Sequence, residues 1–176
     1  MDQDEWMAQR FEENRPHLLV AGHPMDDGLV FSRVALSPDG TRLAYLATAF
    51  QGTNDGAGLI VSSLDGSGSH VVAGSMLAPA GDVNGVAWSP DGTRLAFGGV
   101  ADHFASQVYV VNGDGTHVRA LTSVAQGSWN GVPSWSPDGS RIAFQSYQHG
   151  VVTMAADGTD FRVLGIKGPT VWNPAG

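Results

Sequence analysis

The chain has 176 residues, 42% of them hydrophobic, with 24 glycines, nine prolines, no cysteine and a formal charge of −8. That length holds one domain with a real core but not a large enzyme, and the missing cysteine excludes a disulfide framework and thiolate chemistry. Seventeen acidic residues against nine basic ones, of which only Lys167 is a lysine, lack the concentrated basic face that nucleic acid requires, while abundant glycine with few charges suits a turn-rich β protein better than a helical bundle.

The start, Met1-Asp2-Gln3-Asp4-Glu5, is acidic and lacks the basic head of a secretion signal, so a cytoplasmic location is expected. The longest early apolar run, Leu18-Leu19-Val20-Ala21, is far too short to span a bilayer, and no membrane partner is expected. Residues 4–18 read as one amphipathic helix. Acidic residues crowd its N-terminal end, Met7, Phe11 and Leu18 share a face, and Pro16 stops or bends it. This stretch resembles the opening helix of extracytoplasmic-function sigma factors. No helix-turn-helix follows it, so no transcription role is carried over.

A repeat then takes over the chain. Ser37-Pro38-Asp39-Gly40-Thr41-Arg42-Leu43-Ala44-Tyr45 returns as Ser89-Pro90-Asp91-Gly92-Thr93-Arg94-Leu95-Ala96-Phe97 and as Ser136-Pro137-Asp138-Gly139-Ser140-Arg141-Ile142-Ala143-Phe144. A worn fourth copy, Trp172-Asn173-Pro174-Ala175-Gly176, aligns with Trp135-Ser136-Pro137-Asp138-Gly139. A period of roughly 45 residues is that of four-stranded propeller blades. Each unit predicts strands a to d. Strand a is Val34–Leu36, Val86–Trp88 and Pro133–Trp135. Strand b is Arg42–Thr48, Arg94–Val100 and Arg141–Tyr147. Strand c is Leu59–Val61, Val108–Val111 and Val151–Met154, and strand d is His70–Ala73, Val118–Leu121 and Phe161–Leu164. Ser-Pro-Asp-Gly reverses the chain between a and b. Asp65-Gly66, Asp114-Gly115 and Asp157-Gly158 reverse it between c and d. The repeated aspartates are thus explained by their turns, without a metal.

With three copies of this signature, the chain resembles a WD-repeat-like β-propeller of the TolB type over about residues 31–176. The resemblance implies an all-β radial array of four-stranded antiparallel sheets and a bacterial source. It leaves activity open, since similar propellers scaffold complexes, gate peptidases or carry lyase sites. The expected organisation is a helix over 1–16 and a partial propeller over 17–176. Complete blades fall at about 31–74, 85–122 and 132–165, with lone terminal strands at 17–22 and 170–173. Three and a half blades do not close an ordinary ring. A second copy, a missing remainder or an open array are the possible outcomes, and a homodimer is the favoured one.

In such an array the b–c and d–a connections share one face, where function concentrates. That face is expected to carry Asp55, Asn84, Asp102, His103, Trp129, Asn130 and His149. Trp129 is the foremost binding anchor, because an exposed tryptophan is enriched at interaction hot spots. His103 or His149 with Asp102 or Asp55 could supply acid/base chemistry in a lyase- or hydrolase-like alternative, but their spacing fits no metal motif. No Gly-x-Ser-x-Gly elbow or phosphate loop occurs. The expectation is therefore a non-catalytic module that binds a protein, peptide or other ligand on its loop face, with no cofactor.

Overall fold

Alternating apolar residues bounded by Asp-Gly turns should give strands that pair with their sequence neighbours, and they do. The computed structural model describes residues 29–49, 58–73, 85–102, 105–126, 129–166 and 172. Among these residues, twelve strands form three separate four-stranded antiparallel meanders. The first blade holds β1 (Leu29–Leu36), β2 (Arg42–Ala49), β3 (Gly58–Ser63) and β4 (His70–Ala73). The second holds β5 (Val86–Trp88), β6 (Arg94–Asp102), β7 (Ala105–Asn112) and β8 (Arg119–Ala120). The third holds β9 (Asn130–Trp135), β10 (Arg141–Ser146), β11 (Gly150–Ala155) and β12 (Arg162–Val163). The outer strands of the second and third blades shrink to two residues each, shorter than the pattern predicts. The expected helix over 1–16 and the terminal strand 17–22 lie outside the described residues. Among the described residues, no helix is long and apolar enough to cross a membrane.

The Ser-Pro-Asp-Gly turn has the same wiring three times. The glycine N–H donates to the serine carbonyl at 2.8–2.9 Å, and the glycine takes φ of +71°, +68° and +70°, the left-handed region that a residue with a Cβ disfavours. The serine hydroxyl donates to the aspartate at 2.6 Å, and the backbone N–H two residues on donates to the same carboxylate oxygen at 3.0 Å. The serine hydroxyl in turn accepts the arginine N–H that opens strand b, at 2.9 Å. The serine hydroxyl and the turn N–H together hold Asp39, Asp91 and Asp138 down at a pKa of about 2.

The two larger apolar cores lie between blades. Ala44, Leu59, Val61 and Val72 of the first blade pack against Trp88, Leu95, Phe97 and Tyr109 of the second. Ala96, Val108, Val110 and Leu121 of the second pack against Trp135, Ile142, Phe144 and Met154 of the third. The second blade thus has one face toward the blade before it and one toward the blade after it.

Directional bonds fix the stacking. The Trp88 indole N–H donates to the Ala35 carbonyl at 3.1 Å, and the Trp135 indole donates to the Ala87 carbonyl at 3.2 Å. Arg42 lies over the Trp88 ring at 4.6 Å, and Arg94 over the Trp135 ring at 4.8 Å. Further out, His70 faces the Gly113 carbonyl at 3.1 Å, and Arg119 donates to the Asp157 carbonyl at 3.0 Å. Trp172 repeats the inner contact a third time, its indole donating to the Ser134 carbonyl at 3.0 Å. The tryptophan of the worn fourth copy therefore sits in the place that Trp88 and Trp135 hold at the end of their inner strands.

Two outcomes are expected from these contacts. Trp88→Phe keeps most of the ring but leaves the Ala35 carbonyl without its donor and weakens the arginine contact. It should cost about 1–2 kcal/mol, against about 3–5 kcal/mol for Trp88→Ala, measured by urea unfolding followed by circular dichroism. The turn aspartates are more acidic folded than the ordinary 3.8, so the stability they add is present above about pH 4 and lost as pH falls toward about 2. The urea midpoint should fall across that window, and Asp138→Asn should flatten part of the fall.

Candidate functional site

An antiparallel meander puts the a–b and c–d turns at one end of each blade and the b–c and d–a connections at the other. The second end, around the seam between the second and third blades, brings together the residues that a turn-and-core account does not explain.

Buried polar groups gather there. Ser106, Gln107, Thr122, Asn130 and Ser146 are all buried at the junction of β7, β9 and β10. The Thr122 hydroxyl and the Asn130 amide both donate to Gln107 Oε1, the latter at 3.2 Å. The Val108 N–H donates to the Thr122 hydroxyl at 3.0 Å, and the Ser106 hydroxyl donates to the Asn130 carbonyl at 3.0 Å. Ser146 stands directly opposite Asn130 across β9 and β10, and its buried hydroxyl has no hydrogen-bond partner among the described residues. The core of this seam is otherwise apolar, so a polar node here ties two blades in one fixed register.

Two exposed aromatic residues adjoin Asn130 and Ser146 along the same strands. Trp129 precedes β9 and makes a parallel bridge to Ser106 of the second blade. The Tyr147 N–H donates to the Trp129 carbonyl at 2.9 Å, which extends the β9–β10 pairing by one step and sets the two side chains on the same side of the sheet. Trp129 is 47% exposed and Tyr147 87% exposed. Val132, on the same inner strand, is also exposed and has φ of +51°. The equivalent residue of the second blade, three before its tryptophan, is Gly85 at φ +91°, and a Cβ there would approach the Val132 backbone to 3.0 Å. A β-branched residue in the left-handed region costs about 1–2 kcal/mol, and strain of this kind clusters at functional sites.

The sequence-derived site residues divide. Trp129 is exposed beside the node, as expected. Asn130 opens β9 instead of continuing the loop, and it is buried. His149 is exposed in the β10–β11 turn, edge-on to the Phe161 ring at 6.2 Å. Asp102 is placed by its backbone alone, at the end of β6 opposite Ala105. Asp55, Asn84 and His103 lie outside the described residues. Among the described residues no group of three His, Asp or Glu side chains could hold a metal ion. Sequence reasoning missed Gln107 and Tyr147. Gln107 sits inside an apolar strand, Ala105–Asn112, and that interruption was the available signal.

No curated protein matches the sequence at a significant level. Among solved structures, the chain is similar to a protein assigned as TolB from Agrobacterium tumefaciens, with 21% identity and a TM-score of 0.65 over 89% of this chain and 57% of that one. It is similar to TolB from Acinetobacter baumannii, with 20% identity and a TM-score of 0.59 over 78% of this chain and 32% of that one. It is also similar to a puromycin hydrolase, with 18% identity and a TM-score of 0.58 over 77% and 23%. The chain thus spans less than two thirds of each of these relatives, and the likeness is one of fold. The matched family model begins after the N-terminal stretch, so the likeness of residues 4–18 to a sigma-factor helix finds no support in it. That model is described as the TolB beta propeller domain and matches residues 29–175, and the chain belongs to this family.

Proposed function

We propose that this chain is a non-catalytic interaction module that binds a protein or peptide through the loop face of its second and third blades. The Trp129–Tyr147 pair carries the reading. Two large aromatic side chains stand exposed opposite one another across β9 and β10, on strands whose other face the Gln107 node ties to the second blade, so little conformational freedom is lost when a partner covers them. Ring systems with one polar tip suit peptide surfaces, which offer both apolar side chains and backbone acceptors. The strain held at Val132 adds to this, since it adjoins the same surface. The reading keeps His149 and Asp102 as candidate contributors to the loop face, as the sequence has them, and Asp55, Asn84 and His103 lie outside the described residues. The reading includes a second copy of the chain that completes the array.

A linear peptide library displayed on phage and selected on the intact protein tests the site. Selected peptides should lose at least about tenfold in affinity on Trp129→Ala and on Tyr147→Ala, with unfolding midpoints unchanged. Equal affinity for both variants would place binding elsewhere on the molecule and overturn the reading.

A further inference from the structure

The inner strands of the second and third blades open on the same residues but reach their tryptophans in different numbers of steps. Asn84-Gly85-Val86-Ala87-Trp88 takes four, and Asn130-Gly131-Val132-Pro133-Ser134-Trp135 takes five. β5 pairs with β6 without interruption, Trp88 to Leu95, Ala87 to Ala96 and Val86 to Phe97, and the Gly98 N–H then donates to the Gly85 carbonyl at 3.1 Å. In β9 the ladder runs from Trp135–Ile142 to Ser134–Ala143, breaks, and resumes at Gly131–Gln145 and Asn130–Ser146. Val132 and Pro133 therefore stand together opposite the single residue Phe144, as a bulge. Pro133, with no N–H to offer a ladder, suits that place.

The bulge has a seat on the second blade. Val132 takes φ of +51°, and Gly85 against it takes φ of +91°. A Cβ at Gly85 would come within 3.0 Å of the Val132 Cα and 3.6 Å of the Pro133 Cδ, so the bulge fills the space that the glycine leaves. A bulge bends its strand and increases its twist, and bulges elsewhere serve to re-aim side chains. Just before this one, the start of β9 lies on the second blade. Trp129 bridges to Ser106, the Asn130 carbonyl accepts the Ser106 hydroxyl, and the Asn130 amide donates to Gln107.

We propose that Val132, seated on Gly85, is the positioning residue of the loop face: its bulge bends β9 onto the second blade and thereby fixes Trp129 opposite Tyr147. This rests on the binding role given above to those two aromatics and adds what places them. The fold itself accepts either form of inner strand, since β1 shifts register at the same place and β5 does not. A β-branched residue held in the left-handed region is therefore not a requirement of the blade, and its use here coincides with the one bridge between sheets among the described residues.

Two variants separate the bend from the strain. Deleting Val132 gives the third blade the spacing of the second and leaves β9 in register with β10 on both sides of the deletion. Val132→Gly keeps the extra residue and removes the strain. The deletion should abolish the nuclear Overhauser contacts between the Trp129 and Ser106 backbones and weaken binding of a phage-selected peptide at least about tenfold. Val132→Gly should keep both and raise the urea midpoint. Gly85→Ala touches neither aromatic, yet it displaces the bulge from its seat and should reproduce the deletion, so it carries the test if the deletion does not fold. Undiminished peptide affinity in the deletion and in Gly85→Ala, with Trp129→Ala still weakened, would overturn the positioning role and leave the binding reading standing. If Trp129→Ala binds as well as the parent, the binding reading falls, and the Trp129–Ser106 contacts alone decide: their loss in the deletion supports the role of the bulge, and their persistence overturns it.

Discussion

The hydrogen bond from one blade's tryptophan to the inner strand of the blade before it is the contact on which the array depends. Among the described residues the three sheets share only the single Trp129–Ser106 bridge, and apolar packing alone is non-directional. Sheets held only by such packing could slide or tilt over one another. An indole N–H aimed at the Ala35 or Ala87 carbonyl has one register, and the arginine over the ring keeps that ring from turning out. The outer side chain, His70 or Arg119, adds a second point further from the axis, so each blade is fixed in angle as well as in position.

The same economy explains why the polar node matters. Between the first two blades the seam is closed by apolar groups around Phe97 and Tyr109, whose rings stack at 5.5 Å. Between the second and third, Gln107, Thr122 and Asn130 bring hydrogen-bonding groups into the interior at the loop end. Buried polar groups cost free energy unless paired, so this arrangement is tolerated only where the two blades meet in one way. A surface built over such a junction is held still by both blades, which is what an aromatic anchor for a partner requires.

Much of this was legible in the residues. Ser-Pro-Asp-Gly with a following arginine located the inner turn and both flanking strands, because each of its side chains makes a local bond that three copies repeat. The inter-blade role of Trp88 and Trp135 followed from their shared position. Asn130 was misplaced because Ser-Trp-Asn-Gly reads as loop chemistry, whereas the Trp129–Ser106 bridge draws the strand in earlier. Tyr147 looked like the end of a strand, and only the antiparallel pairing shows that it faces Trp129 in the open. The role of Gln107 depends on residues 15 and 23 positions away, a relation that no local pattern contains.

The inner contacts also have an order in time. In every case the acceptor and the arginine belong to the earlier blade, and the indole belongs to the later one: Ala35 and Arg42 precede Trp88, and Ala87 and Arg94 precede Trp135. A ribosome releases a chain from its N-terminus, so each socket is complete before its plug emerges. The molecule can therefore be assembled by accretion, each new blade finding a finished surface and leaving another behind it.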